Sequence, residues 1–388
     1  AWVYWREYGR GVESGKNLES QIFVPLQLLT KKYPEFIPGH LELAKVCQEK
    51  PKACKKNASP GNPKNTIEVL ERATEIFPDD SELVKEKVEA LEKSENYLEA
   101  AIAARQFAVI YGDYSEAAEF AERADKNFKR YQNNVRLDFK VGCVVGQILP
   151  ELIEKLQKGD KVENIKGCEV LELLQKGESY LGQGLAEKYE EKEKPKLVDD
   201  PKVLNYVKGI AGRIAPFANR NDFKYDYHIF EDSAVKIFGF PGGVIYISTG
   251  AIEKTNSEAQ LAGLLGKEIA HSAFSHWSTN RVVKNILYSW KEFIPLGDLV
   301  TSLITLHHSQ KQERQADILA TKLLNSSGYA ADGLHNAIVL QTGKLTKRNY
   351  QIQNLIKRNR YKRYAYEGVK PHLCIQNQMK GVSLDSCQ

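Results

Sequence analysis

The sequence predicts a mainly α-helical protein of two domains, with one small β-sheet in the second. Three observations carry this. The chain has 388 residues, more than one ordinary domain holds. Its first third repeats itself: Ile76-Phe77-Pro78-Asp79-Asp80-Ser81-Glu82 is echoed 34 residues later by Ile110-Tyr111-Gly112-Asp113-Tyr114-Ser115-Glu116. Alternating apolar residues, the mark of a strand, appear from Val244 to Ile247 behind the Pro241-Gly242-Gly243 turn.

The repeat comes first along the chain. Leu29 to Pro34 resembles Thr74 to Pro78 at an offset of 44, and the ten extra residues fall in the Cys47–Pro60 segment. Ile67, Leu70, Ala73 and Phe77 form one helical stripe, and Ala100, Ala101, Ala103 and Ala104 are small enough for close helix packing. A 34-residue helical period resembles the tetratricopeptide family over about residues 18–135. The resemblance implies stacked helix pairs whose curved surface binds a protein or peptide partner. The alternative is a plain helical domain. A further helical stretch from Val135 to Tyr189 is expected to cap the array, closing a domain at 1–189. The charged, proline-containing run Glu190–Lys196 reads as part of a linker over 190–200.

Composition is globular, 42% hydrophobic and 27% charged, and a net charge of +5 does not suggest nucleic acid. The basic run Lys357–Arg363 reads as a solvated helix face. No eighteen apolar residues run uninterrupted, because Lys291, Glu292 and Asp298 break the closest approach, Ile286–Leu306. That argues against an integral membrane helix and leaves peripheral membrane contact open. The chain starts at Ala1, and Met379 is its one methionine, so a processed or trimmed protein is expected. Cys47/Cys54, Cys143/Cys168 and Cys374/Cys387 form three local pairs. They fit disulfides and an extracytoplasmic compartment; the alternative is six free thiols in the cytosol.

In the second domain, 201–388, a helix over Lys202–Ala218 and a strand over Tyr225–Phe230 precede the Pro-Gly-Gly turn. A helix capped by Ser257, with Gln260 three residues on, then runs to about His276 and contains Lys267-Glu268-Ile269-Ala270-His271. Later come Glu313-Arg314-Gln315-Ala316-Asp317 and Gly328-Tyr329. This order resembles the HtpX and CAAX-prenyl-protease type of zincin metallopeptidase, with its HExxH and ExxAD elements, over about residues 200–335. The resemblance implies zinc held by a histidine pair at i and i+4 and by a third ligand from another helix. Carried over, His271 and Glu313 are metal ligands and Glu268 is the general base. Asp317 orients a ligand imidazole. Gly242, Gly243, Val244, Ile245 and Tyr246 form the edge to which an extended substrate adds.

Three departures count against catalysis. Lys267 stands where the first histidine belongs, and an ammonium offers no lone pair to a metal. Lys236-Ile237-Phe238 replaces the usual Asn-Ala-Phe. The later His-Pro element with its arginine has only a scrambled echo in Lys370-Pro371-His372. His276 lies about 140° around the helix from His271, off the ligand face. His307 and His308 precede the Ser309 helix cap and read as surface or packing residues, the alternative being that they approach the site. The expectation is a degenerate metallopeptidase-like protein that acts by binding protein or peptide, with zinc absent or weak. In it, the Lys267 ammonium should pair with Glu313, in a bridge that Glu268 can share. The alternatives are an active zinc metalloendopeptidase with a modified site and a structural subunit of a larger assembly.

Overall fold

The computed structural model describes residues 1–14, 19–58, 61–131, 133–134, 177–220, 222–279, 308–363, 365–382 and 387. The chain divides into two compact units, Ala1–Tyr131 and Gln132–Gln388.

The regular elements among the described residues of the first unit are all helices. Its local signals are side-chain caps: Asn65 accepts from Glu68 N at the start of Thr66–Ile76, and Asp80 accepts from Leu83 N at the start of Ser81–Lys93. Helices Thr66–Ile76 and Tyr97–Ile110 end 34 residues apart, matching the repeated segments. Phe23, Leu26, Leu29, Leu43, Leu70 and Leu83 fill one core; Val88, Leu91, Ala104, Phe107 and Phe120 fill a second. The four alanines are all buried, as close packing requires. A disulfide joins Cys47 to Cys54.

In the second unit a three-stranded sheet is framed by helices. Strand β1 is Asp226–Phe230, β2 is Ile237–Phe240 and β3 is Val244–Ser248, in the order β1-β3-β2. β1 runs parallel to β3 and β2 antiparallel to it, with His228, Tyr246 and Phe238 in register across the three. Every residue of β3 is buried. A second disulfide joins Cys374 to Cys387, while Cys143 and Cys168 lie outside the described residues. Among the described residues no helix is long and apolar enough to cross a membrane.

The structure departs from the sequence reading in three places. The expected linker is partly helix. Glu178–Glu193 is continuous, and Tyr189 packs edge-on against Phe238 and Tyr246. Val198 N donates to Ile229 O, and Glu231 N to Lys196 O, so residues 196–198 line the outer side of β1. Of the charges that suggested a linker, Glu191, Lys192 and Glu193 are exposed on this helix, while Glu190 accepts from Tyr246 Oη. The two-unit boundary falls at 131/132 instead. Second, β3 is the central strand rather than an edge, because β2 folds back beside it. Third, the motif helix ends at Ala273, and Ser275 turns the chain with a φ of 52°.

Candidate functional site

The helix Glu258–Ala273 lies against the helix Gln310–Ser326, each started by a serine cap. The capping fixes where each helix begins, and so which residues face the other. Lys267 and His271, one turn apart, look across at Glu313. Lys267 Nζ is 3.3 Å from Glu313 Oε2, the expected ion pair. His271 Nε2 lies 3.4 Å from Glu313 Oε1 but makes no hydrogen bond.

A second cation, missed in the sequence, completes the cluster. Arg348 comes from the helix Lys347–Arg358. Its Nη1 is 2.8 Å from Glu313 Oε2, its Nε donates to Asp317 Oδ2 at 2.6 Å, and its Nη2 donates to Asp317 Oδ1. The sequence offered one signal: a lone arginine two residues past Thr346, whose capping box starts that helix. Nothing there connected it to the site. His372, the scrambled echo, is elsewhere: its ring bonds Tyr206 and Thr255. Asp317 therefore holds Arg348 rather than an imidazole.

His271 is oriented by His276, whose Nδ1 is 2.9 Å from its own Nδ1. This reverses the helical-wheel argument, which assumed a helix running to His276; the turn at Ser275 swings that ring back. His276 Nε2 in turn meets Gln315 Oε1 at 3.1 Å. His308 also approaches, with its ring stacked on His271 at 3.8 Å between centroids and its Nδ1 buried without a partner. His307 lies outside the described residues.

The electrostatics follow from burial and from these neighbours. Burial raises the Glu268 carboxyl to about 7, with Lys267 opposing and Glu313 adding to the rise. Burial lowers His271 to about 4 and His308 to about 3, leaving both neutral at pH 7. Burial also works against a charged Glu313, yet the neighbouring His271 and the cations Lys267 and Arg348 together outweigh it and hold that carboxyl well below the usual range.

Among the described residues, the strand with an unpaired side beside the site is β2. A Cβ on Gly239 would lie 3.7 Å from Glu268 Oε2, so the β2 backbone passes next to that carboxyl. The expected substrate strand Val244–Tyr246 is enclosed on both sides, and Gly242 and Gly243 serve the turn instead.

The donor set does not fit the implied zinc site. His271 and Glu313 bring lone pairs, but Lys267 brings none. A dication near Glu313 would also face two fixed positive charges. Among the described residues, no three His, Cys, Asp or Glu side chains are placed to hold a metal.

Residues 201–364 match the model of peptidase family M48. The mitochondrial metalloendopeptidase OMA1 of Arabidopsis thaliana is 23% identical over 208 residues, 47% of this chain and 42% of that protein. Beta-barrel assembly-enhancing proteases of Yersinia pestis and Escherichia coli O157:H7 are each 20% identical. Those matches cover 36% and 34% of this chain and 33% and 31% of theirs. The chain thus spans less than half the length of these relatives.

Proposed function

Because residues 201–364 form a domain of peptidase family M48, whose members usually use zinc, we propose that this chain keeps the peptidase scaffold for binding rather than cleavage. The observation that carries the reading is the double ion pair on Glu313. Lys267 and Arg348 supply the positive charge that a metal would have supplied, and they bridge three helices in doing so. An ammonium and a guanidinium give no activated water, so Glu268 has no nucleophile to serve as general base. The bound partner is a protein or peptide. It has two surfaces to use: the backbone edge of β2, which accepts an extended segment as an added strand, and the tetratricopeptide-like helices of the first unit. The Cys47–Cys54 and Cys374–Cys387 bridges support an extracytoplasmic setting.

One observation favours a second reading, an active metalloendopeptidase with a replaced ligand. His271 Nε2 and His308 Nδ1 are both buried without hydrogen-bond partners, on stacked rings. His308 would then stand in for the missing histidine. Zinc content and casein turnover, measured side by side on the natural chain, Lys267→His and His308→Ala, separate the two. The first reading expects little zinc and no turnover in the natural chain. It also expects more zinc but no restored cleavage in Lys267→His, because Arg348 still occupies Glu313. Near-stoichiometric zinc and casein turnover in the natural chain, both lost in His308→Ala, establish the second.

A further inference from the structure

We propose that the surface formed by residues 344–363 docks on an anionic lipid bilayer. The helix Lys347–Arg358 buries Asn349, Ile352 and Ile356 and turns Lys347, Tyr350, Gln351, Asn354 and Lys357 to solvent. Along this stretch of the chain, between Asp332 and Glu367, the sign of the charge is uniform. From Gly333 to Tyr366 there are eight Lys or Arg and no Asp or Glu, in a chain with 55 basic and 50 acidic residues in all. An ordinary solvated face mixes both signs. Lys344, Lys347, Lys357 and Lys362 are exposed, with no carboxylate paired to them among the described residues.

Two apolar side chains stand among these charges. Leu345 is 53% exposed and Tyr350 is 56% exposed. They are flanked by Lys344 and Lys347, whose stems can lie along an apolar layer while the ammonium groups stay in water. A bilayer with anionic headgroups suits this arrangement. It binds basic residues without a shaped groove and takes a leucine and a tyrosine at headgroup depth. An acidic protein would satisfy the charges alone, whereas a bilayer also takes up the exposed Leu345 and Tyr350. Arg348 reaches the candidate site from this same helix, so docking would hold that site beside the membrane surface. The inference does not depend on whether the site cleaves or only binds.

The test is co-sedimentation of the full chain with vesicles of phosphatidylcholine, alone or mixed with phosphatidylglycerol. Binding is expected only to the mixed vesicles, weakening as salt is added. The triple variant Lys344→Glu, Lys347→Glu and Lys357→Glu should lose at least ~100-fold in partition, since each basic residue contributes about fivefold. Leu345→Ser with Tyr350→Ser should remove the part of the binding that survives high salt. Unchanged circular-dichroism melting of both variants excludes misfolding as the cause. Equal binding to neutral vesicles, no binding to mixed ones, or full binding by the triple variant would each overturn the proposal. So would capture by immobilised poly-glutamate without vesicle binding, which would point to an acidic protein instead.

Discussion

Glu313 receives two cations on one carboxylate, and they are not equivalent. Among the described residues Lys267 pairs with Glu313 alone, and its side chain keeps 21% of its exposure. Arg348 spans Glu313 and Asp317, and the Asp317 side chain is only 6% exposed. Removing a cation from a buried carboxylate costs more than removing one from a partly wet one. Arg348→Met should therefore destabilise the chain by about 3 kcal/mol, through the stranded Asp317. Lys267→Met should cost about 1 kcal/mol or less, because Arg348 remains on Glu313. Urea denaturation of the two variants checks the ordering; equal losses would mean that Asp317 finds another partner. At this scale the sequence was legible where chemistry is local. The Lys267–Glu313 pair could be foreseen because the family resemblance sets Glu313 opposite the motif helix, and i and i+4 geometry turns Lys267 and His271 to one face. Arg348 could not, because its place depends on how a third helix packs. His276 was misread because one residue, Ser275, leaves the helical conformation.

Helices and strands were legible wherever caps and turns marked them. Ser257 and Ser309 start the two site helices, and the Pro-Gly-Gly turn ends β2. Strand order was not, because alternation reports which residues are buried and not which strand lies between which. The same limit hid the role of Glu178–Glu193. Its contact with the turn is backbone against backbone: a Cβ on Gly182 would sit 1.8 Å from Pro241 O, and Gly242, at a φ of 71°, leaves no room beside Ser179. No flexible side chain can yield there. Gly182→Ala should thus lower stability by about 3 kcal/mol, the upper end of overpacking costs, with a visible fall in melting temperature. A neutral Gly182→Ala would mean the helix only grazes the turn. A fragment beginning at residue 201 should likewise fail to melt cooperatively, having lost the Tyr189 contacts with Phe238 and Tyr246.

Across the whole molecule, burial of histidine sets the response to pH. His40, His271, His276, His308, His335 and His372 are all held below the ordinary value of 6.5, burial being the largest cause in each. Such a group binds its proton only once the chain unfolds. Below pH 6.5 the unfolded state therefore holds more protons than the folded one, and stability is lost as pH falls. Each site contributes up to about 1.4 kcal/mol per pH unit, so unfolding should become steeply easier from pH 6.5 downward. Glu268 acts in the opposite direction. Burial raises it from 4.5 to about 7, so between those values the folded chain keeps a proton that the unfolded chain has released. Its cost therefore grows as pH rises through that window and is complete above 7. Glu268→Gln removes this cost. The stability of that variant relative to the natural chain should climb by about 3 kcal/mol between pH 4.5 and 8. Urea titrations of both proteins at a series of pH values read this directly. A difference that stays constant with pH would mean that Glu268 is solvated in the folded chain, and the enclosed site drawn around it would be wrong.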